Sequence, residues 1–210
     1  MKAARIYKEK YQAQQDGIIG ITLVGAWYYP KDPNNEGDVA AARRSFQFTF
    51  GWFANPIFIG DYPDVMKETI YNNSIDYQMR VRSRLPEFTE EEINNLKGSA
   101  DFLGVNYYMA YDSRALTPEE QKSLLTNYKL NTDWRAFNDY RKSWRLINVT
   151  NSWINYNPDG FRLMLKQLSI DYNNVTMMIT ENGCMDSDSD EVLKDYERIK
   201  YFRGHLTAVS

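Results

Sequence analysis

The peptide from Ile179 to Gly183 contains the residue best suited to chemistry, because an apolar segment runs directly into Glu181. A carboxylate at the end of a buried strand is held at the mouth of the sheet, and Gly183 permits a tight turn after it. In that position Glu181 can act as a nucleophile on the anomeric carbon of a sugar. The residues alone also allow a plainer interpretation, in which Glu181 and Asn182 begin a loop or cap the next helix.

The sequence Asn106-Tyr107-Tyr108 takes the equivalent position at the end of a preceding apolar segment. Side chains alternate along a strand, so Asn106 and Tyr108 share one face and Tyr107 faces the other. A tyrosine hydroxyl can donate a hydrogen bond that orients a carboxylate, and an asparagine amide can bind a sugar hydroxyl. The same residues also suit a core with satisfied polar groups, and both interpretations stay open at this point.

Alternating helices and strands must position these side chains. Strands are predicted at residues 18–24, 101–109 and 175–180, where apolar residues dominate. Helices are predicted over residues 3–14, after a capping Asp38, after Asn157-Pro158 and after Ser189-Asp190. This order indicates a parallel α/β architecture, in which ligands gather at the carboxyl ends of the strands. The connections are long and turn-rich, and loops of that kind usually contribute to function.

Each predicted helix has an apolar stripe that is expected to face the core. The stripes are Ala3, Ile6, Tyr7 and Tyr11; Val39, Ala42, Phe46, Phe50 and Phe53; Phe161, Met164, Leu165 and Leu168; and Val192, Tyr196, Ile199, Phe202 and Leu206. Within the turn-rich segment that follows the second helix, Thr89 and Glu92 have the spacing of a capping box.

Composition and charge exclude several classes of protein. The length of 210 residues suits one domain or two small ones, and a net charge of −3 provides no basic track for nucleic acid. No apolar stretch approaches the roughly 18 residues of a membrane span, and the N-terminus lacks the apolar region of a signal peptide. Cys184 is the only cysteine and His205 the only histidine, so neither a metal site nor a cofactor is predicted. Aromatic residues make up 15% of the chain, which suits a packed core or a cleft lined with rings.

The Ile179–Gly183 peptide resembles the I-T-E-N-G nucleophile motif of glycoside hydrolase family 1, the family of β-glucosidases and myrosinases. Further blocks resemble that family in the same order and spacing, over essentially all 210 residues. They are Gly20-Ile21-Thr22-Leu23, Gly51-Trp52-Phe53, Gly60-Asp61-Tyr62-Pro63, Leu85-Pro86-Glu87-Phe88-Thr89, Phe102-Leu103-Gly104-Val105-Asn106-Tyr107-Tyr108 and Trp153-Ile154-Asn155-Tyr156-Asn157-Pro158-Asp159-Gly160. One block would be a weak signal, whereas this many in sequence form a specific one.

The resemblance implies a (β/α)8 TIM barrel that hydrolyses small-molecule β-glycosides with retention, through a glycosyl-enzyme intermediate. It also implies site roles. Glu181 would be the nucleophile and Tyr108 its hydrogen-bonding partner. Asn106 would lie near the sugar subsite, and Trp153 would stack against the aglycone at the cleft entrance, unless it only anchors its loop. The family further suggests a secreted or lysosomal protein if a longer form has a signal peptide.

Several family motifs are missing from the 210 residues. The acid/base motif T-x-N-E-P of the fourth strand does not occur, since Asn35-Glu36-Gly37 lies in the wrong place and lacks the proline. The sugar-binding motifs of the early strands and the tryptophan-rich block of the last strand are also missing. Residues 1–210 are therefore predicted to form an incomplete (β/α)8 barrel, a partial catalytic domain with about strands five to seven. The chain alone is expected to show no normal β-glucosidase turnover.

The alternative to part of a β-glycoside-hydrolysing enzyme is a catalytically inactive fragment or pseudo-glycosidase that binds carbohydrates or proteins.

Two other groups of residues suit chemistry less well. Asp186, Asp188, Asp190 and Glu197 have the spacing of calcium-loop ligands, but Glu191 stands where that loop requires glycine. A solvated loop with negative charge at a helix N-terminus explains this spacing better. A Cys184–His205 dyad would need both side chains within hydrogen-bonding distance and a third group to orient the histidine.

Overall fold

A four-stranded sheet organises the computed structural model, which describes residues 2–126, 133–147, 153–186 and 193–210. Its strands are β1 (Gly20–Pro30), β2 (Phe102–Ala115), β3 (Ala136–Asp139) and β4 (Met177–Asn182). β2 is central, with β1 parallel to it on one side and β4 parallel to its first half on the other. β3 runs antiparallel to the last residues of β2. β1, β2 and β4 therefore run in the same direction, and β4 ends opposite the middle of β2.

Helices occupy most of the connections between the strands. They are α1 (Lys2–Lys10), α2 (Gln12–Gln15), α3 (Glu36–Phe46), α4 (Trp52–Phe58), α5 (Asp64–Asn72), α6 (Glu90–Leu96), α7 (Pro118–Thr126), α8 (Pro158–Asp171) and α9 (Tyr196–Val209). Two π-helical turns, Gln47–Gly51 and Asn73–Tyr77, extend α3 and α5. None of the helices in the described ranges is long and apolar enough to cross a membrane.

The hydrophobic core lies between one face of the sheet and helices α3 and α8. Leu103, Val105 and Tyr107 alternate along β2 and are fully buried on this face. Phe161 and Met164 of α8 pack against them, and burying each such side chain contributes about 1.5 to 3 kcal/mol. The predicted apolar stripe of α8 is thus confirmed, as are its capping Asn157 and the proline that follows.

The opposite face of the sheet is open. Val24 of β1 points away from the core and is 63% exposed. Alternation places Asn106 and Tyr108 on this open face, because Tyr107 between them packs into the core. The predicted division of these three residues between the two faces of β2 is therefore confirmed.

Helix α3 begins earlier than the sequence predicts. Asn35, not Asp38, is the N-cap, and its side chain accepts hydrogen bonds from the backbone of residues 37 and 38. Asp38 is instead buried and accepts a hydrogen bond from the backbone N–H of Ala115, at the end of β2. The predicted stripe was also partly wrong, because Val39 is 44% and Phe53 53% exposed. The buried face of α3 is centred one residue earlier than predicted, and the π-helical turn shifts the periodicity before Phe53.

The first and last helices depart further from the prediction. The single helix predicted over residues 3–14 is divided into α1 and α2, and no residue of either is buried. The last helix begins at Tyr196, and residues 189, 190 and 192 of the prediction lie outside the described residues. The described members of its predicted stripe are exposed, whereas Tyr201, His205 and Ala208 are buried. The helix has apolar residues on two faces, and periodicity alone does not tell which of them meets the sheet.

The predicted strands end later in the structure, and this matters for the site. β1 reaches Pro30 and β2 reaches Ala115, while the short β3 within a predicted loop was missed. β4 extends to Asn182, so Glu181 lies within the strand and not in a loop or helix cap after it. The capping box between Thr89 and Glu92 is confirmed.

Candidate active site

Glu181 reaches the open face of the sheet because β4 contains a bulge. Val105 pairs with Ile179, whereas the next residue of β2, Asn106, pairs with Glu181, which leaves Thr180 as an extra residue. A shift of one residue moves a side chain to the other face of a sheet. Without the bulge, Glu181 would pair with Tyr107 and point towards the core. The bulge thus aims the carboxylate, a function that bulges often have near active sites.

Tyr108 holds the Glu181 carboxylate directly. Its hydroxyl donates a hydrogen bond to Glu181 Oε2 from the middle of β2 to the end of β4. This hydrogen bond, followed by burial, raises the pKa of Tyr108 above its ordinary value of 10.0. The phenol therefore stays protonated at neutral pH and acts as a donor, leaving the second oxygen of Glu181 available to another group.

Trp153 lies beside this pair at the surface. Its ring centroid is 5.7 Å from that of Tyr108, and the two ring planes make an angle of 65°. Trp153 is 47% exposed, so part of its ring is accessible to a ligand. An exposed ring next to an oriented carboxylate can stack against a sugar or an aryl group without introducing charge.

Asn106 lies opposite Glu181 in the register and is 8% exposed. Its Oδ1 accepts a hydrogen bond of 2.6 Å from the hydroxyl of Thr180, the bulged residue. The oxygen is thereby engaged, so the amide N–H groups are what Asn106 offers to a hydroxyl oxygen of a ligand. The structure thus brings all four predicted site residues to the carboxyl end of β4, with Tyr108 contacting both Glu181 and Trp153.

Three further residues of the site were not predicted from the sequence. Thr180 forms the bulge and orients Asn106, while Asn182 and Tyr201 form hydrogen bonds behind Tyr108. The sequence places Thr180 and Asn182 beside Glu181, but their roles depend on a register that strand propensity does not specify. Tyr201 belongs to a helix whose predicted core face was wrong.

The sequence pattern of the family described as "Glycosyl hydrolase family 1" matches residues 1–210. The chain belongs to glycosyl hydrolase family 1. Beta-glucosidase 12 of Oryza sativa subsp. japonica is 37% identical over 223 residues, which cover 99% of this chain and 39% of that protein. Myrosinase 1 of Brevicoryne brassicae is 36% identical over 207 residues, which cover 99% of this chain and 42% of that protein. Lactase/phlorizin hydrolase of Homo sapiens is 37% identical over 209 residues, which cover 98% of this chain and 10% of that protein.

Solved structures of family 1 members have the same fold as this chain. Aphid myrosinase matches with a TM-score of 0.84 at 34% identity, covering 99% of this chain and 42% of that one. A rice β-glucosidase variant in a covalent complex with Glc matches with a TM-score of 0.83 and the same identity and coverage. The family 1 chain is thus an α/β structure that corresponds to an incomplete (β/α)8 barrel. It spans 39% to 42% of the length of the rice β-glucosidase and aphid myrosinase relatives.

Cys184 and His205 of this family 1 chain have no dyad geometry. Burial raises the pKa of the Cys184 thiol to about 11, which opposes thiolate formation at neutral pH. His205 is buried, and its Nδ1 lies 2.8 Å from the backbone oxygen of Tyr201. Because a carbonyl only accepts, Nδ1 has the proton and donates it there.

The acidic residues near the last helix are engaged in ion pairs. Glu197 pairs with Arg145, and Asp186 lies 3.8 Å from Arg198. Asp188 and Asp190 of the calcium-loop spacing lie outside the described residues. Across the four described ranges, no three His, Cys, Asp or Glu side chains are grouped in a way that could hold a metal ion.

Proposed function

We propose that this chain forms the nucleophile side of the active site of a retaining, β-glucosidase-like enzyme that hydrolyses O-glycosidic bonds in β-glycosides. One contact supports this most strongly: the Tyr108 hydroxyl donates to the Glu181 carboxylate at the carboxyl end of β4, beside the middle of the adjacent parallel strand β2. A carboxylate with one oxygen held and the other available is suited to attack on an anomeric carbon. Membership of glycosyl hydrolase family 1 supports the same reaction.

In the first step, the available oxygen of Glu181 forms a bond to the anomeric carbon as the bond from that carbon to the leaving oxygen breaks. The leaving oxygen takes a proton from a second carboxylic acid on the other side of the sugar. In the second step, that group removes a proton from water, which attacks the same carbon and releases Glu181. Two inversions leave the configuration retained. The covalent Glc complex of the rice β-glucosidase variant is an intermediate of the kind that the first step forms.

Trp153 and Asn106 would bind the two parts of the substrate. The exposed ring of Trp153 would stack on the aglycone, where its edge contact with Tyr108 keeps it near the reacting bond. The amide N–H groups of Asn106 would donate to a sugar hydroxyl, because Thr180 occupies the amide oxygen. Neither residue supplies the proton that the leaving oxygen needs.

Residues 1–210 lack the sequence motif that would supply the second carboxylic acid. Retaining chemistry needs two carboxyl groups roughly 5 to 5.5 Å apart, and the sequence contains no Asn-Glu-Pro motif. In this proposal the proton donor belongs to polypeptide other than these 210 residues. The 210 residues alone would then not turn over a β-glycoside.

A second candidate function is carbohydrate binding without hydrolysis. The exposed ring of Trp153 and the open face of the sheet favour it, since stacking and hydrogen bonding to a sugar require no proton donor. The two functions are distinguished by covalent chemistry, because a binding module forms no glycosyl-enzyme bond.

The test uses the complete gene product that contains this chain, with an aryl β-glucoside as substrate. Glu181→Gly should abolish release of the aryl group, and added azide should restore it by occupying the space of the missing carboxylate. The product should be the α-glucosyl azide, because a single displacement inverts the configuration. Glu87→Gly, which removes an exposed carboxylate from the loop before α6, is the control and should retain activity. Full activity of Glu181→Gly, or rescue that yields the β-azide, would overturn the proposal. A gene product that binds the glucoside but never cleaves it would favour the binding module.

A further inference from the structure

A hydrogen-bonded network lies behind the Tyr108–Glu181 pair and joins α9 to two strands. The side-chain amide of Asn182 donates to the backbone oxygen of Tyr107 at 2.8 Å and to the hydroxyl of Tyr201 at 3.2 Å. The Tyr201 hydroxyl in turn donates to the backbone oxygen of Tyr108 at 3.1 Å. The network therefore ends on the main chain of the residue whose side chain holds Glu181.

The proton positions in this network are determined by its acceptors. Backbone oxygens only accept, so the Asn182 amide must present its N–H groups to Tyr107 and Tyr201. The Tyr201 oxygen then receives one hydrogen bond, and its own proton points to the backbone oxygen of Tyr108. Burial raises the pKa of Tyr201, which keeps this proton in place.

Tyr108 needs this support because the sheet does not pair it regularly. Along β4 the register ends with Tyr107 opposite Asn182, one residue before Tyr108. Along β1 it passes from Gly25–Tyr107 to Trp27–Ala110, so Tyr108 falls within an irregularity there as well. Within the described strands, Tyr108 thus has no register partner on either side, although its hydroxyl must be held accurately.

Tyr201 is a rigid anchor for that purpose. It is completely buried, and its ring stacks on that of His205 with a centroid separation of 3.9 Å. Ile147 and Ile154 pack in the same cluster. A hydroxyl on a ring fixed in this way loses little conformational freedom when it forms a hydrogen bond.

We propose that Tyr201 is a positioning residue for the reaction: its hydroxyl fixes the main chain of Tyr108, so that the Tyr108 hydroxyl meets the Glu181 carboxylate. The proposal rests on the proposed function for its kinetic consequence. Its structural consequence, the geometry of the Tyr108–Glu181 hydrogen bond, is independent of that function.

The test compares Tyr201→Phe with Tyr172→Phe in the complete gene product. Tyr172 is also buried, and its hydroxyl donates to Asn55 Oδ1 at 2.8 Å, between α8 and α4. Each variant loses one buried hydroxyl, so the two should unfold at similarly reduced urea concentrations. Only Tyr201→Phe should lower kcat for an aryl β-glucoside, by about three- to tenfold with a smaller change in KM, because mispositioning the Tyr108 hydroxyl costs no more than removing it. Equal losses of kcat in the two variants would overturn the proposal.

Two further measurements show whether Tyr201 acts through Tyr108. In a Tyr108→Phe background, the added Tyr201→Phe change should have almost no effect on kcat, and multiplicative effects would contradict the proposal. The pKa of Tyr108, followed by NMR of ring-labelled tyrosine, should fall in Tyr201→Phe as the hydrogen bond to Glu181 weakens. An unchanged Tyr108 pKa would overturn the positioning role even in an active enzyme. If this pKa falls but Glu181→Gly retains full activity, the positioning of Tyr108 stands and the proposed function fails.

Discussion

Replacing Tyr108 by phenylalanine removes the hydroxyl that holds Glu181 and leaves the ring that contacts Trp153. A hydrogen bond to a charged partner contributes about 1.5 to 3 kcal/mol, and the exposure of this pair favours the lower end of that range. Because about 1.4 kcal/mol corresponds to a tenfold change in rate, Tyr108→Phe should lower kcat/KM roughly tenfold. Most of the loss should appear in kcat, since the hydroxyl orients the attacking group and not the substrate.

The assay is steady-state hydrolysis of an aryl β-glucoside by the complete gene product. Tyr140→Phe is the matched control, because Tyr140 is also partly exposed but its hydroxyl contacts the sulfur of Met109, at 3.7 Å, and the hydroxyl of Tyr111. Neither contact involves Glu181, so the loss of this hydroxyl should change kcat/KM little. A change of less than twofold in Tyr108→Phe would refute the orienting role of the hydroxyl. An equal loss in the control variant would show that the effect is not specific to the Glu181 contact.

Four other outcomes follow from the structure. Glu181→Gln should lower the pKa of Tyr108 towards its ordinary value of 10.0, as measured by NMR of ring-labelled tyrosine, and an unchanged pKa would argue against the hydrogen bond. Trp153→Ala should raise KM for aryl glucosides more than for glucosides with small alkyl aglycones, and equal increases would contradict stacking on the aglycone. Asp133 is buried against an amide and a guanidinium group, so Asp133→Ala should reduce the free energy of unfolding in urea by about 3 to 5 kcal/mol; a loss below 1 kcal/mol would contradict this. Burial lowers the pKa of His205 below 6.5, so just below pH 6.5 the imidazole takes up a proton only in the unfolded chain. The free energy of unfolding should therefore fall as the pH decreases, by at most about 1.4 kcal/mol per pH unit. His205→Phe should flatten this slope, and an unchanged slope would exclude His205 as its source.

The sequence was sufficient to predict the parallel strands and the face of β2 on which Asn106 and Tyr108 lie. Strand alternation correctly separated Tyr107 from Asn106 and Tyr108, because that period depends only on local backbone geometry. The family-like peptide around Glu181 marked the end of β4. Those local signals, together with Asn157 and Pro158 at the start of α8, accounted for most of what could be anticipated.

The rest depended on contacts between distant segments. Thr180 becomes a bulge only through the register between β4 and β2, which no local pattern encodes. Tyr201 was missed because α9 has apolar residues on two faces, and the more apolar of these, with Ile199 and Leu206, is exposed. The N-cap of α3 was misassigned to Asp38 because that carboxylate accepts from the backbone at the end of β2, far along the chain.

Covalent labelling identifies the nucleophile by the residue that the sugar modifies. The complete gene product is incubated with a 2-deoxy-2-fluoro-β-glucoside that has a good leaving group, so that the glycosyl-enzyme forms and is hydrolysed slowly. Peptide mass spectrometry then locates the sugar. We expect one fluoroglucosyl group on Glu181 and no label in Glu181→Gln. A label on any other residue, or cleavage of the reagent without a covalent adduct, would contradict the assignment of Glu181 as the nucleophile.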